Sequence, residues 1–371
     1  MRVGVLKEIK VHEYRVGLTP EAAREYVAAG HEVLIETGAG AGMGALDADY
    51  VAVGAKIAAS AAEIFARAQM IVKVKEPQPS EWVQLREGQI LFTYLHLAPD
   101  RRQAEGLMAS GCTAIAYETV LGPHGGLPLL APMSEVAGRL SIEAAGSALQ
   151  RQNGGRGILL GGVPGVTPAR VVVLGGGVVG THAARMAVGL GAEVSVLDRS
   201  LPRLRELDTL FQGRVRTRYA STAVIETEVF AADAVIGAVL IPGASAPKLV
   251  TKPMLKQMKP GAVLVDVAID QGGCFETSHP TTHAEPIYVV DGIVHYCVAN
   301  MPGSVPHTSS HALNNATLPY GLALAAGGPA AILADPGLRA GLNVHRGHVT
   351  HPAVAASLGL SVQAPESALA A

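Results

Sequence analysis

Three glycines near the middle of the chain have the spacing of a dinucleotide-binding turn. Gly175, Gly177 and Gly180 stand in the segment VVVLGGGVVG and fit the pattern G-x-G-x-x-G. In such a turn the first glycine allows a tight bend, the second lets the backbone approach a pyrophosphate, and the third lets a helix pack closely on a strand. The N-terminus of that helix also favours the phosphate charge. The alternative is a glycine-rich turn that binds no ligand.

An acid at the end of the next predicted strand strengthens this interpretation. Residues 192–197 predict a strand, and Asp198 follows it, 18 residues after Gly180. A carboxylate at this place binds the ribose hydroxyls of adenosine and repels a 2′-phosphate, although the neighbouring Arg199 slightly weakens that preference. The sequence therefore predicts NAD as the cofactor.

Later strand ends in the second half supply further polar groups. In open α/β sheets ligands bind beyond the carboxyl ends of the strands. Asp270 follows the apolar run AVLVDVAI, and Asn300 ends the strand predicted at residues 293–298. The alternative for Asp270 is a loop acid that caps Gly272 and Gly273. Asp266, inside the run, is compatible with a buried structural acid.

A second cluster of reactive side chains is predicted in the first half. Lys75 ends the run at residues 70–75, and His96 ends the run at residues 89–95. If these are parallel neighbours, both side chains emerge at one edge of a sheet. A lysine there holds a carboxylate or polarises a carbonyl, and a histidine exchanges a proton near neutral pH. Taken singly, each is equally compatible with an ordinary strand-end residue, and Lys73 shares the strand without necessarily sharing the face.

Arg15 and Ser134 each have a functional and a structural interpretation. Arg15, just before the helix start at Thr19, could bind a carboxylate through two hydrogen bonds, or lie on the surface in water. Ser134 precedes a long apolar segment and could be its N-cap. Glu118 ends a strand and has a structural interpretation only.

The elements that must position these residues alternate between short β-branched runs and helical stretches. This alternation is typical of α/β folds with parallel sheets. One such unit covers roughly the first 125 residues, and a second begins at residue 171. A helix over residues 133–150 links them, and the sheet pattern stops near residue 300. We therefore expect a discontinuous first domain, residues 1–128 and 307–371, with residues 129–306 inserted as the dinucleotide-binding domain, and a loose tail over residues 363–371.

Composition excludes several classes of protein. The formal net charge is −2, from 29 basic and 31 acidic residues among 371, and long runs of like charge are missing, which argues against a nucleic-acid partner or a polybasic membrane anchor. The longest uncharged apolar stretch, residues 316–334, contains Pro319 and Pro329, which should break a membrane-spanning helix twice. The N-terminus lacks a signal-peptide pattern, and three scattered cysteines lack metal spacing. We expect a cytoplasmic protein with no metal site.

Taken together, these segments resemble the L-alanine dehydrogenases of the alanine dehydrogenase and pyridine nucleotide transhydrogenase family. The resemblance runs through essentially the whole chain and rests on long segments such as MRVGVLKEIKVHEYRVGLTP, GQILFTYLHLA, LPLLAPMSEVAGR, MKPGAVLVDVAIDQGGCFE and YCVANMPGSVPHTSSHALNNATLPY. It implies two Rossmann-like domains with parallel sheets, the NAD-binding one inserted into the other. It also implies a homo-hexamer and the reversible, NAD-dependent oxidative deamination of L-alanine to pyruvate and ammonia.

The resemblance assigns roles to positions of this chain. It makes Arg15 and Lys75 ligands of the substrate carboxylate and carbonyl, His96 the catalytic acid and base, and Asp270 a second catalytic residue. The other positions that it implies for NAD contact, with the glycines of the turn, are Ser134, Gly175, Gly177, Val178, Val179, Gly180, Asp198, Arg203, Ser221, Val239, Leu240, Val267, Ala268, Ile269, Asp270, Val298, Ala299, Asn300 and Met301.

Two departures from the family pattern affect the site. Ala220 stands where some members have serine, so that an adenosine contact is lost or passes to Ser221. Some members hold a divalent ion near the acid that matches Glu118, with a histidine near the position of Gly327. Because glycine has no ligating side chain, we expect no such metal site here.

The implied mechanism uses these groups in order. Arg15 and Lys75 anchor the alanine carboxylate while hydride leaves Cα for the nicotinamide. Water then attacks the resulting iminium, with His96 exchanging protons and Asp270 orienting the water or the ammonium group. Three alternatives stay open: the NAD-binding subunit of a proton-translocating transhydrogenase, an amino-acid dehydrogenase for a larger substrate such as lysine or saccharopine, and a non-catalytic NAD-binding protein.

Overall fold

The computed structural model describes residues 1–239 and 246–370, which form two compact units. The first consists of Met1–Met133 together with Gly303–Ala371, and the second of Ser134–Pro302. The second unit is therefore continuous in sequence and the first is not. The domain boundaries expected from the sequence, and the functions assigned to them, stay a prediction.

Fifteen strands form in the part of the chain that the structure describes. In chain order they are β1 Arg2–Val5, β2 Glu32–Glu36, β3 Lys56–Ala58, β4 Met70–Val72, β5 Ile90–Thr93, β6 Thr113–Ala116, β7 Arg170–Leu174, β8 Glu193–Asp198, β9 Val215–Tyr219, β10 Ala234–Gly237, β11 Val263–Asp266, β12 Ile287–Val290, β13 Ile293–Tyr296, β14 Leu342–His345 and β15 His348–Val349.

The sheet of the first unit has the strand order β15-β14-β6-β5-β4-β1-β2-β3. Strands β1 to β6 are all parallel, and β14 and β15 add an antiparallel edge. The order reverses between β1 and β4, which is the topological switch point of a Rossmann-type sheet. Side chains that follow β4 and β5 thus lie at the carboxyl edge, where such sheets bind ligands.

The sheet of the second unit repeats this topology. Its order is β12-β13-β11-β10-β7-β8-β9, with β12 as an antiparallel edge strand and the other neighbours parallel. The switch point lies between β7 and β10. The prediction of two Rossmann-like α/β units with parallel sheets is confirmed.

Strand β7 shows why these sequences form parallel sheets. Val171 and Val173 pack into a core on one face of the sheet, and Val172 and Leu174 into a core on the other. A strand covered on both faces carries a continuous apolar run rather than an alternating one. The cover on the first face includes Ala183, whose small side chain lets helix and sheet approach closely.

The helices cover the sheets and begin mostly at caps or prolines. Thr19 caps the first of them as expected, its Oγ1 accepting from the Ala22 N–H. The α-helices are Pro20–Ala28, Asp47–Ala52, Ala61–Arg67, Pro79–Trp82, Arg101–Ser110, Ala131–Ala148, Val178–Gly189, Leu201–Phe211, Thr222–Ala231, Lys252–Leu255, Pro306–Gly327, Pro329–Ala334, Pro336–Gly341, Pro352–Leu358 and Pro365–Ala370.

Several sequence-based expectations are wrong in detail. Helix Pro306–Gly327 continues through Pro319 and ends at Gly328, so that the apolar stretch is broken once rather than twice. The sheet pattern does not stop near residue 300, because β14 and β15 complete the first sheet. The expected loose tail contains helix Pro365–Ala370, and Glu366 pairs with Arg339.

Helix Pro306–Gly327 ties the end of the chain to its beginning. Ser310 Oγ accepts from the Val16 N–H at 3.2 Å, and Asn314 Oδ1 accepts from the Thr19 N–H at 2.8 Å. These bonds fix the loop that carries Arg15. Among the described residues, this helix and the others are not long and apolar enough to cross a membrane.

A buried charge cluster lies where β4 leaves the first sheet. Lys73, which is fully buried, donates from Nζ to Glu81 at 2.7 Å and to Glu8 at 3.2 Å. Glu8 Oε1 also accepts from the backbone N–H groups of Val74 at 2.7 Å and Lys75 at 3.3 Å. Burial raises the pKa of Glu8, against the lowering effect of the Lys73 charge. Lys73 is therefore structural and does not share the exposed edge with Lys75.

We expect Lys73→Ala to lower the free energy of unfolding by about 3–5 kcal/mol, because it leaves buried carboxylates without their counter-charge. Urea denaturation followed by circular dichroism measures this. The matched control is Lys56→Ala, which breaks an exposed pair with Glu32 and should cost less than about 1 kcal/mol. Equal, small losses in the two variants would contradict the structural role of Lys73.

Candidate active site

The glycine turn of the second unit leaves no room for side chains at two of its three positions. Gly175 has φ +102°, and a Cβ there would lie 2.6 Å from the Ala238 carbonyl oxygen. A Cβ on Gly180 would overlap the carbonyl oxygen of Gly175. The start of helix Val178–Gly189 thus rests directly on the turn after β7, which is the close helix–strand packing expected of the pattern.

Gly177 differs, because the space beside it is open. A Cβ at this position would meet no atom of residues 1–239 and 246–370 within 4 Å, and the backbone has φ −66°. Gly177 is the N-cap of helix Val178–Gly189, and no side chain caps the first N–H groups of that helix. Uncapped amides at a helix N-terminus, approached over a glycine, bind phosphate groups. The residues present therefore fit the pyrophosphate of a dinucleotide.

Asp198 and Arg203 hold the turn from its far side. Asp198 Oδ2 accepts from the Gly176 N–H and Oδ1 from the Ser200 N–H, both at 2.7 Å. Arg203 donates from Nε to the Gly176 carbonyl at 2.6 Å and from Nη2 to Thr181 Oγ1 at 2.7 Å. Asp198 lies at the carboxyl end of β8, as predicted.

The other positions expected to contact NAD lie mainly at the same edge of the second sheet. They follow the parallel strands β10, β11 and β13, whose carboxyl ends share one edge. Leu240 lies outside the described residues. Val178 is exposed; Val179, Val239, Val267, Ala268, Ala299 and Asn300 are half-buried; Ile269, Val298 and Met301 are buried.

Two of these positions have local structural roles. Ser221 is the N-cap of helix Thr222–Ala231, and its Oγ accepts from the Val224 N–H. Ser134 lies inside helix Ala131–Ala148, so the N-cap interpretation of Ser134 is wrong. The helix begins at Ala131, three residues before Ser134.

The turn that carries Asp270 is organised by Asp266. The buried Asp266 carboxylate accepts from the Cys274 N–H at 2.8 Å, the Phe275 N–H at 3.2 Å and Ser278 Oγ at 2.5 Å. Burial raises the pKa of Asp266, and these hydrogen bonds act in the opposite direction. The interpretation of Asp266 as a buried structural acid is confirmed.

Asp270 itself lies exposed on the short 3-10 turn Ile269–Gln271. The two glycines that it was expected to cap donate to backbone carbonyls instead, Gly272 to Ile269 and Gly273 to Ala268. The capping alternative is therefore wrong. Within residues 1–239 and 246–370, the Asp270 carboxylate has no hydrogen-bond partner.

In the first unit, Lys75 and His96 emerge at one edge. Strands β4 and β5 are parallel neighbours that end at Val72 and Thr93, slightly earlier than predicted. Beyond the strand ends the two chains stay joined, because the Tyr94 N–H donates to the Val74 carbonyl at 3.2 Å and Thr93 Oγ1 donates to the Lys75 carbonyl at 2.9 Å.

Arg15 is buried, with 2% of its surface exposed, so its interpretation as a solvated surface residue is wrong. Its guanidinium binds Glu13 through two bonds, Nε to Oε1 at 2.7 Å and Nη2 to Oε2 at 2.5 Å, while Nη1 lies 3.0 Å from Met133 Sδ. The Glu13 carboxylate thus binds one edge of the guanidinium. The sequence analysis missed Glu13, although an acid two residues before a candidate arginine is a signal for such a pair.

His96 has an unusual backbone and an exposed ring. Its φ is +47°, and 47% of its side chain is exposed. The imidazole stacks on Tyr94, with the ring centroids 5.7 Å apart and the planes 6° from parallel. Glu118 Oε1 accepts from the His96 N–H at 2.6 Å and lies 3.9 Å from the His96 Nδ1. Tyr94 in turn donates to the Leu129 carbonyl at 2.6 Å, and burial raises its pKa.

The described residues hold no cluster of three metal-ligating side chains.

The glycine turn lies between the first strand and the first helix of a Rossmann-type sheet, and an acid follows the second strand. Together these features define the dinucleotide-binding class of α/β proteins. The second unit of this chain is of that class. The whole chain belongs to the alanine dehydrogenase/PNT family: residues 4–137 match the N-terminal domain of that family and residues 141–352 its C-terminal domain.

Individual relatives are similar over nearly their full length. The chain is 60% identical to an alanine dehydrogenase of Halomonas elongata, covering 97% of each chain, and 54% identical to an alanine dehydrogenase of Mycobacterium tuberculosis, covering 100% of each. A solved structure of an L-alanine dehydrogenase has a TM-score of 0.94 at 55% identity, over 97% of this chain and 99% of that one. A transhydrogenase from Sinorhizobium meliloti has a TM-score of 0.80 at 26% identity, over 95% and 100%.

We expect Gly177→Ala to keep the folded stability but to weaken NAD binding by about tenfold or more, because its Cβ meets only open space yet occupies the approach of the phosphate. Isothermal titration calorimetry with NAD and a thermal melt without it measure the two effects. The contrasting variant is Gly180→Ala, which should destabilise the fold itself. Unchanged NAD affinity in a folded Gly177→Ala variant would contradict the assignment.

Proposed function

We propose that this chain is an NAD-dependent amino-acid dehydrogenase that converts L-alanine reversibly to pyruvate and ammonia. The observation that carries the proposal is the likeness over the full chain to relatives named alanine dehydrogenase, at 54–60% identity. The positions of Lys75 and His96 at one edge of the first sheet support it, because that pair suits an α-amino acid and its oxo product.

Binding of the amino-acid carboxylate falls to Arg15 and Lys75. Arg15 is held in place by Glu13, so that little side-chain entropy is lost when its guanidinium binds a carboxylate. Lys75 is half-buried, and its backbone N–H is held by Glu8. Two cations that bind one small carboxylate orient it and help to set the Cα–H in a reactive direction.

The glycine turn and Asp198 hold the cofactor. The amides after Gly177 receive the pyrophosphate, and Asp198, whose two oxygens each accept one amide, keeps lone pairs for the ribose hydroxyls. NAD, when bound, supplies the hydride acceptor for the oxidation of Cα. One lone pair of Ser221 Oγ already accepts the capping bond from the Val224 N–H. An adenosine contact at Ser221 would therefore use the second lone pair of Oγ.

His96 transfers protons in the proposed reaction, and Asp270 orients the groups that react. In the direction of deamination, His96 accepts a proton from the water that attacks the substrate iminium and later returns one as ammonia leaves. The His96 side chain is 47% exposed, so water can reach the imidazole. Asp270, on its exposed turn, orients the attacking water or the ammonium group.

The transhydrogenase-type alternative predicts NAD binding without amino-acid turnover. Its support is the likeness to the Sinorhizobium meliloti structure at 26% identity, well below the identity to the alanine dehydrogenases. Our proposal also includes a homo-hexamer, which multi-angle light scattering would measure, and a cytoplasmic location, which cell fractionation would test.

We expect L-alanine with NAD at alkaline pH to give rapid NADH formation, whereas L-lysine, L-glutamate and a reaction without amino acid should give little. The side chains of L-lysine and L-glutamate are longer than the methyl group of L-alanine and need a larger binding site. Absorbance at the NADH band measures the rates. Tight NAD binding without turnover of any amino acid would overturn the proposal in favour of the transhydrogenase-type function.

We expect His96→Ala to lower kcat for L-alanine by roughly 10²–10⁴-fold, the usual contribution of a positioned acid or base. The dissociation constant of NAD should stay the same, because the glycine turn and Asp198 are untouched. His124→Ala, at an exposed position of the same unit, is the control and should retain kcat. A comparable loss of NAD affinity in His96→Ala would contradict the assigned role.

A further inference from the structure

The backbone at His96 requires an external constraint. With φ +47° it lies in the left-handed region, which is unfavourable for a residue with a Cβ, although histidine, like asparagine and aspartate, is found there more often than other side chains. Such a conformation persists where neighbouring groups over-determine it, and it is enriched at functional sites. The direction of the His96 ring depends on this backbone.

The Glu118 carboxylate supplies that constraint. Its Oε1 accepts from the His96 N–H at 2.6 Å, and its two oxygens lie 3.3 and 3.2 Å from the Leu95 nitrogen. One carboxylate thus binds two successive amides after strand β5. Hydrogen bonds from amides to a charged acceptor are stronger than those to a neutral one.

Glu118 is itself fixed by the sheet. It follows β6, the parallel neighbour of β5, and lies in the short turn Tyr117–Thr119. Only 14% of its side chain is exposed. The next residue, Thr119, is bonded to Asn343 at 2.8 Å, at the point where β14 joins the sheet. The carboxylate therefore reaches the His96 loop from a rigid support.

We infer that Glu118 is a positioning residue for the reaction. It holds the left-handed backbone of His96, and this backbone and the stacking of the imidazole on Tyr94 together set the direction of the imidazole. The inference rests on the proposed function, in which His96 exchanges protons. It requires an acceptor oxygen at Oε1 and does not require the negative charge to take part in the chemistry.

Three substitutions separate the acceptor from the charge and from the volume. Glu118→Gln keeps the Oε1 acceptor, Glu118→Met keeps the volume without an acceptor, and Glu118→Ala removes both. We expect Glu118→Met and Glu118→Ala to lower kcat by about 10²-fold, the scale of a misplacement by about 1 Å. Glu118→Gln should stay close to the parent chain in kcat. The KM for L-alanine and the dissociation constant of NAD should change little in all three.

A double-mutant cycle with His96→Ala tests whether Glu118 acts through His96. If it does, Glu118→Met in the His96→Ala background causes no further loss of kcat, because nothing is left to position. Losses that multiply would overturn the inference. A Glu118→Gln variant as impaired as Glu118→Met would overturn it as well, since the charge rather than the acceptor would then matter.

Asp335→Ala is the matched control. The Asp335 carboxylate also accepts from two successive amides in this unit, those of Gly337 and Leu338, but has no part in the proposed site. It should lower the melting temperature and leave kcat unchanged. Failure of the proposed function is distinguishable: there, the parent chain itself would not turn over L-alanine, whereas a retained kcat in His96→Ala would overturn the role assigned to His96. A large loss in His96→Ala with none in Glu118→Met would overturn only the positioning role.

Discussion

Backbone N–H groups that continue past the end of a parallel strand lose their ladder partners, and buried ones need new acceptors. In this protein carboxylates provide them. Glu8 accepts from the amides of Val74 and Lys75, and Glu118 from those of Leu95 and His96. Each group that we assign to chemistry in the first unit thus stands on backbone held by an acid.

The second unit uses the same arrangement. Asp198 accepts from Gly176 inside the glycine turn, and Asp266 accepts from the amides of Cys274 and Phe275. Glu8 and Asp266 are buried and Glu118 and Asp198 are half-buried, whereas His96 and Asp270 are exposed. The carboxylates that shape the loops are therefore separate from the side chains that reach solvent, and a shape-determining acid is recognised by its amide partners rather than by its exposure.

How far the sequence predicts this structure depends on the range of the interactions. The glycine turn and Asp198 follow from local patterns, since strand, turn and helix signals lie within short segments. Lys75 and His96 each follow a predicted strand, and they share an edge because β4 and β5 are neighbours. Glu118 is different: its partners are more than 20 residues away and depend on β5 and β6 being neighbours. A strand-end acid has no local signal for the amides that it binds.

Other residues were missed for related reasons. Lys73 and Lys75 look alike in the sequence, yet one is paired with two buried acids and the other lies at the edge. Helix Pro306–Gly327 passes through Pro319 because packing along the helix outweighs the loss of one hydrogen bond. Strand β15 has only two residues, too few for a periodic pattern to indicate it.

The bonds from Ser310 and Asn314 to the loop around Arg15 have a consequence for synthesis of the chain. The loop is made among the first 20 residues, but its two hydrogen-bond acceptors are made only after residue 302. Chains emerge from the ribosome N-terminus first, and domains fold as units. The continuous dinucleotide-binding unit can thus fold before Ser310 and Asn314, the acceptors for the Arg15 loop, have been synthesised. A chain truncated before residue 310 would keep this unit and lack the hydrogen bonds that fix the Arg15 loop.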